Sequence, residues 1–217
     1  MGAGVDGCRG GWIVVHEGRA WLATTFPEVV ASLPDDTMIG IDIPIGLLDE
    51  HVPGGRVCDR EARRLLGPGR GSSVFSAPPR PALTVRSLPE AQAAGFPMTL
   101  QSLNILAKVA EVDTAIDPAL QQRVHEVHPE LAFVALAGGI PLHHSKRRAA
   151  GRAERRDLLD RHGIPVPVLP RGAAVDDLLD ACAAGWSAGR IERHVAERVP
   201  DDGARFDERG LRMEICW

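Results

Sequence analysis

The sequence predicts an α/β protein, a mixed sheet flanked by helices, and three stretches carry this prediction. Residues 4–18 read as a β-hairpin, because β-rich segments enclose a short turn that ends in the glycine pair Gly10-Gly11. Residues 38–44 form an almost continuous apolar run, which is typical of a strand covered on both faces. Residues 174–190 repeat their apolar side chains with the period of an α-helix. Between these stretches we expect an insertion of helices and loops.

The other elements follow from local signals in chain order. Residues 19–26 read as a third strand, and Pro27 opens a short helix over residues 28–33. Residues 59–66 predict a helix that ends at a Gly-Pro-Gly sequence, and residues 99–116 carry a helical apolar face. The later elements are a strand at residues 123–128 ended by Pro129, helices at 131–136 and 152–162, an extended segment at 164–170 and a strand at 211–217.

Length and composition indicate a globular protein without structural zinc or disulfides. The 217 residues are 44% hydrophobic and 25% charged, which suits one domain over residues 1–217. The four cysteines have no spacing typical of a zinc site or a disulfide framework. No apolar run approaches the roughly 20 residues of a membrane span, and no signal segment precedes the first strand. We therefore expect a cytoplasmic protein with no membrane partner.

The charge is distributed unevenly along the chain. The net charge of −4 argues against indiscriminate binding of nucleic acid. However, residues 1–50 carry eight acids against two arginines, whereas residues 51–86 carry seven arginines against two acids. A second basic run covers residues 146–161. Each arginine can simply be a solvated surface residue, but two basic clusters beside acidic strands also suit a polyanion lying across a metal site.

Acidic residues recur at the ends of the predicted strands and in the last helix. Asp is unfavourable in strands, yet Asp6 stands beside the hairpin turn and Asp42 interrupts an apolar strand. Glu126 lies in the alternating strand. In the last helix Asp177 shares a face with small alanines, and Asp180 lies at the edge of that face. A turn or a helix dipole can also account for such acids one at a time.

A loop at residues 70–80 has the composition of a phosphate-binding segment. It lacks the spacing of a Walker loop, and a proline-terminated loop without any function is the alternative. Backbone amides of Gly/Ser loops and nearby arginines are good phosphate donors. The candidate substrate-binding residues of this loop are Arg70, Ser72, Ser73, Ser76 and Arg80.

The order of elements and acids resembles the ribonuclease H-like architecture. In that architecture a first-strand Asp meets acids from a neighbouring strand and a late helix. Six local strings are more specific: GVDGCRGGW, IDIPIGL, CDREARRLLG, RGSSVFSAP, EVHPE and DDLLDA. They resemble the domain-of-unknown-function 429 family, whose members are predicted nucleases of that superfamily. The resemblance implies a single ribonuclease H-like domain over residues 1–217.

The resemblance also implies a site and a chemistry. One or two Mg²⁺ or Mn²⁺ ions would be held by carboxylates, with Asp6 bridging, because these hard ions prefer oxygen ligands. His128 and Glu130 would help to position water or substrate. The remaining implied ligands, which with Asp6 form the catalytic set, are Asp42, Glu126, Asp177 and Asp180.

The expected function is metal-dependent hydrolysis of phosphodiester bonds in nucleic acid or in a nucleotide-like phosphoester. A non-catalytic nucleotide or nucleic-acid binding module on the same fold is an alternative. A phosphotransferase is a third possibility, although the chain lacks a duplicated core and a clear second phosphate loop. With nine Phe and Trp and no Tyr, the sequence offers no surface for stacking a long single strand.

Overall fold

A computed structural model describes residues 2–217 of the chain and contains nine strands and seven α-helices among them. The strands are β1 Ala3–Cys8, β2 Gly11–His16, β3 Arg19–Ala23, β4 Ile39–Ile41, β5 Val124–Glu126, β6 Arg198–Val199, β7 Arg205–Phe206, β8 Arg212–Met213 and β9 Ile215–Cys216. The helices are α1 Phe26–Ala31, α2 Val57–Arg70, α3 Leu88–Ala93, α4 Leu100–Ala115, α5 Pro129–Leu136, α6 Ala149–Arg161 and α7 Val175–Glu192.

The chain forms two compact units. The first unit combines Met1–Ile43 with Arg123–Arg198 and Cys216–Trp217. The second unit combines Pro44–Gln122 with Val199–Ile215. The first unit therefore combines β1 and the rest of the N-terminal segment with a segment from the second half of the chain and with its last two residues.

A five-stranded mixed sheet, in the order β3-β2-β1-β4-β5, is the centre of the first unit. β1, β2 and β3 pair antiparallel, while β4 lies parallel to both β1 and β5. The hairpin between β1 and β2 is formed as the sequence predicts, with Gly11 at a positive φ of 133° in its turn. The α/β prediction is confirmed, and the sheet is consistent with a ribonuclease H-like arrangement.

Helix α7 lies unusually close to this sheet because glycines and alanines form the contact. A β-carbon on Gly4 would lie 1.9 Å from the carbonyl oxygen of Ala181, and one on Gly40 would lie 2.5 Å from that of Ala184. Ala181, Ala184 and Ala188 are fully buried. The small-residue face of the last helix therefore packs against β1 and β4, which brings the acids of this helix near the strand ends.

In the second unit, buried ion pairs stabilise the loops between the helices. Arg56, almost completely buried, donates to Asp59 from Nη2 at 2.7 Å and to the carbonyl oxygen of Ile45 at 2.8 Å. Asp59 also accepts a hydrogen bond from the backbone N–H of Ala77. Arg56, one of the arginines of the basic segment 51–86, therefore stabilises the fold of this unit.

Three local features differ from the sequence predictions. The proposed last strand, residues 211–217, is divided into two short strands, β8 and β9. Helix α2 extends over Val57–Arg70 but is interrupted at Gly67, whose φ is 69°, so the predicted stop appears as a kink. Helix α3 was not predicted, although Ser87 caps it by accepting from the N–H of Glu90. Among residues 2–217, no helix combines the length and the apolar character needed to cross a bilayer.

Candidate carboxylate site

The register of two parallel strands places Asp6 beside Asp42. Val5 pairs with Ile41, and the N–H of Asp42 donates to the carbonyl oxygen of Val5 at 3.1 Å. Asp6 directly follows Val5 in the chain, and Asp42 directly follows Ile41. Because side chains alternate along a strand, both carboxylates leave the sheet on the face that carries Gly4 and Gly40. That face is covered by α7, so the two carboxylates point toward the helix.

Helix α7 supplies the third carboxylate of the site, that of Asp180. Asp180 directly precedes Ala181 in α7. The carbonyl oxygen of Ala181 lies against Gly4, and Gly4 is two residues before Asp6 in β1. Its side chain is completely buried, and its Oδ1 has no hydrogen-bond partner among the described residues. A buried, unpartnered carboxylate oxygen is costly, which makes it a candidate ligand atom.

Crowding and burial raise the pKa of all three carboxyls. Burial is the largest cause for the raised pKa of Asp6, followed by the charges of Asp42 and Asp180. Burial also raises the pKa of Asp42, and it raises the pKa of Asp180 to about 6. The charges of Asp42 and Asp180 both raise the pKa of Asp6, in agreement with the strand register that sets Asp6 beside Asp42.

One ammonium group partly balances these charges. Lys146 Nζ donates to Asp180 Oδ2. The charge of Asp180 is the main cause of a raised pKa for Lys146, and the charges of Asp6 and Asp42 raise it further against the opposing effect of burial. Three carboxylates therefore share the field of one lysine, which leaves the cluster with an excess of negative charge when all three are ionised.

His128 and Glu130 lie at the border of the site. The charged form of His128 lowers the pKa of Asp42, whereas the charge of Glu130 raises the pKa of both Asp42 and Asp180. Glu130 accepts a hydrogen bond from Arg155, and both side chains are buried. The guanidinium of Arg155 also lies 5.4 Å from the ring centre of Phe133. Glu130 therefore has a structural partner.

Glu126 and Asp177 take positions that differ from those of the three clustered acids. Glu126 pairs with Ile41 in the register of β4 and β5, so it lies on the face of the sheet opposite to Asp42. Asp177 accepts a hydrogen bond from the backbone N–H of Ala174 at 3.1 Å and thereby caps α7. Its charge still contributes to the raised pKa of Asp6. The structure brings together Asp6, Asp42 and Asp180, with Asp177 close by.

The candidate phosphate loop lies in the second unit, where its polar groups have several local partners. Arg80 forms ion pairs with Asp49, Asp113 and Asp207, so its charge is already balanced. Ser73 Oγ donates to the carbonyl oxygen of Arg70 at 2.8 Å.

A cavity of about 370 Å³ opens in the same unit. Ser72 and Ser76 contribute to its wall, together with Phe75, Phe96 and Met98. Arg63 also lines it and donates to Ser76 Oγ at 2.9 Å. The loop therefore contributes hydroxyl groups to a cavity whose remaining lining is largely apolar.

Sequence reasoning did not identify two features of the first unit. Lys146 appeared only as one of several basic residues, although it is one of two lysines among 25 basic residues. In addition, ligand atoms of His125 and Cys216 lie within 4.8 Å of each other, and such donors could take part in holding a metal ion. Their separation in sequence hides this pair from any analysis of motif spacing.

The three carboxylates could hold a metal cation. They offer oxygen ligands, the Oδ1 of Asp180 has no hydrogen-bond partner among the described residues, and the cluster has an excess of negative charge when all three are ionised. The site is more open than a closed coordination shell, because Asp6, Asp42 and Asp180 do not bring one oxygen each to within 4.8 Å of the others in the described chain. Water and substrate oxygens would complete the coordination of such an ion.

Comparison with known proteins gives a family and no nearer relative. Neither a curated protein nor a solved structure matches the chain. A family model described as a protein of unknown function, DUF429, matches residues 4–205. This match covers almost the whole chain, including all three clustered carboxylates, and the protein therefore belongs to the DUF429 family.

Proposed function

We propose that this protein is a metal-dependent nuclease or related phosphodiesterase of ribonuclease H-like type. The observation that carries the proposal is the gathering of buried Asp6 and Asp180 with half-buried Asp42, with one lysine as counter-charge. Bringing carboxylates together in this way is unfavourable by itself, as their raised pKa values indicate. A divalent cation removes this repulsion, so the arrangement is expected of a metal site.

In this proposal Asp6 would be the central ligand for Mg²⁺ or Mn²⁺, since the charges of both Asp42 and Asp180 act on its carboxylate. Asp42 and Asp180 complete the protein ligands. When bound, such ions activate water and stabilise the leaving oxygen of a phosphodiester. His128 would orient water or substrate in this proposal, because its charge acts on Asp42. Glu126 lies on the opposite face of the sheet, and Asp177 caps α7, so neither is a metal ligand in this proposal.

The proposed substrate is a nucleic acid or a nucleotide-like phosphoester. Exposed arginines follow Lys146 in the first unit, at Arg147, Arg148 and Arg156. Their charges suit a phosphate backbone and provide the salt-dependent part of its binding. The arginines that stabilise the second unit, Arg56 and Arg80, are already paired with carboxylates and are poorer candidates.

Calorimetry with Mn²⁺ and Mg²⁺, followed by hydrolysis assays, tests this function. The substrates are single-stranded and duplex DNA and RNA, a branched DNA junction and bis-para-nitrophenyl phosphate. We expect metal binding and metal-dependent hydrolysis, both lost in Asp6→Asn. Phosphate binding without turnover at any metal concentration would instead favour the non-catalytic module, and transfer of phosphate to an acceptor other than water would favour a phosphotransferase.

A further inference from the structure

The contact between Lys146 and Asp180 joins an exposed segment to a buried carboxylate. Lys146 lies between α5 and α6, and its side chain is 38% exposed, whereas that of Asp180 is 0% exposed. The ammonium therefore reaches from the surface into the carboxylate site. It donates to one oxygen of Asp180 and leaves the other without a partner in the described part of the chain.

The other charged groups around the site differ from Lys146 in their hydrogen-bond partners or in their charge. Glu130 is paired with Arg155, and Asp177 caps its helix. His128 borders Asp42 and is cationic only when protonated. Lys146 is thus a permanent cation that acts on all three clustered acids, Asp6, Asp42 and Asp180.

The residue type at this position is also informative. The chain contains 25 Lys and Arg residues, and only Lys108 and Lys146 are lysines. An ammonium is a compact point charge on a flexible stem, whereas a guanidinium is a larger planar group that binds best in a fixed fork. A compact cation on a mobile stem can occupy a site made for a metal ion and can leave it without rearranging the backbone.

We propose that Lys146 is the resident counter-ion of the carboxylate site and that it competes with the divalent cation for Asp180, so that entry of the metal ion expels the lysine. This inference rests on the proposed metal site. The ammonium and the ion seek the same carboxylate oxygens, and two cations at one carboxylate repel each other strongly in a buried place. Lysine would then stabilise the metal-free protein and weaken its metal affinity.

Two measurements on the full chain test the competition. In calorimetric titration with MnCl₂, Lys146→Met retains the apolar stem, loses the ammonium and should bind Mn²⁺ at least tenfold more tightly than the native protein. Its metal-free form should melt at a lower temperature, with a larger increase on adding Mn²⁺. Lys108→Met, which removes the other lysine, serves as the matched control and should bind Mn²⁺ as the native protein does.

The second measurement needs no variant. Brief acetylation of the native protein with acetic anhydride, followed by mass spectrometry, reports the accessibility of its two lysines. Saturating Mn²⁺ should increase labelling of Lys146 several-fold and leave Lys108 unchanged.

The outcomes separate this inference from the proposed function. Native protein that binds Mn²⁺, together with unchanged or weaker affinity in Lys146→Met or with metal-induced protection of Lys146, would overturn the competition and leave the metal site standing. Failure of both native protein and Lys146→Met to bind Mn²⁺ would overturn both proposals. Binding by Lys146→Met alone would support the competition in its strongest form.

Discussion

Asp6 and Asp42 are adjacent because β1 and β4 are parallel strands in a register that pairs Val5 with Ile41. Parallel strands end at the same edge of a sheet, so the residues that follow this pair lie side by side on one face. The backbone fixes the closeness of two like charges, and burial strengthens their repulsion. Stability and metal binding should therefore respond in opposite directions when one of these charges is removed.

Replacing Asp42 by Asn should weaken Mn²⁺ binding at least tenfold, about 1.4 kcal/mol in binding free energy. The same change should leave the metal-free protein as stable as the native form or more stable at neutral pH. The reason is that a carboxyl with a raised pKa opposes folding when it is ionised. Calorimetry and thermal melting measure the two effects. Asp36→Asn, at an exposed position, is the control and should change neither. A large fall in metal-free stability would show that Asp42 has a structural role instead.

Replacing Gly4 by Ala should disrupt the contact between β1 and α7. Its new β-carbon would lie 1.9 Å from the carbonyl oxygen of Ala181, and a backbone atom cannot move away cheaply. We expect a loss of about 3 kcal/mol in the free energy of unfolding and weaker Mn²⁺ binding, because Asp180 moves relative to Asp6. Gly10→Ala is the matched control, since nothing lies within 4 Å of a β-carbon there. Equal urea midpoints for the two variants would contradict the close approach of helix and sheet.

Local signals were sufficient to predict much of the first unit. The hairpin, the buried strand with Asp42 and the small-residue face of the last helix each depend on residues close in sequence. The structure places that face against Gly4 and Gly40. Helix and strand periodicities predict which face of an element is buried, because burial itself produces the pattern.

Local sequence signals do not predict which residues each acidic side chain contacts. Glu126 lies in β5, next to the strand that Asp42 follows. A shift of one residue in the register of β4 and β5 would move the Glu126 side chain to the other face of the sheet. The ion pairs of Arg80 with Asp113 and Asp207 join distant parts of the sequence, so composition alone suggested a free basic cluster. Lys146 reaches Asp180 from a segment without regular structure, for which periodicity predicts nothing.

Asp207 should make the second unit sensitive to acid. Burial by itself would raise the pKa of Asp207, but hydrogen bonds from the N–H of Leu211, from Arg80 and from the N–H of Leu47 hold it below its ordinary value. A carboxyl with a lowered pKa stabilises the folded state above its unfolded pKa of about 3.9, and this contribution is lost as the pH falls through the folded value.

Asp207→Asn should therefore lower the free energy of unfolding by about 2 kcal/mol at pH 7, and the difference from the native protein should shrink below about pH 4. Urea unfolding between about pH 3 and 7 measures this dependence. Asp202→Asn breaks an exposed pair with Arg205 and serves as the control, with little effect at any pH. A difference that stays constant down to the acid limit would mean that the charge of Asp207 is not what stabilises this unit.

The three acids in the first half of α7 should separate into three different roles. Asp180 is buried beside Asp6, so Asp180→Asn should weaken Mn²⁺ binding at least tenfold, about 1.4 kcal/mol. Asp177 caps the helix and adds to the field at Asp6, so Asp177→Asn should cost about 0.3–1 kcal/mol of stability and reduce Mn²⁺ affinity a few-fold. Asp176→Asn should have a similarly small effect on stability and none on metal binding. Calorimetric titration with Mn²⁺ and thermal melting of the three single variants measure the order of their Mn²⁺ affinities and of their stabilities. If Asp177→Asn loses more Mn²⁺ affinity than Asp180→Asn, then the metal site lies nearer the start of the helix than the position of Asp180 indicates.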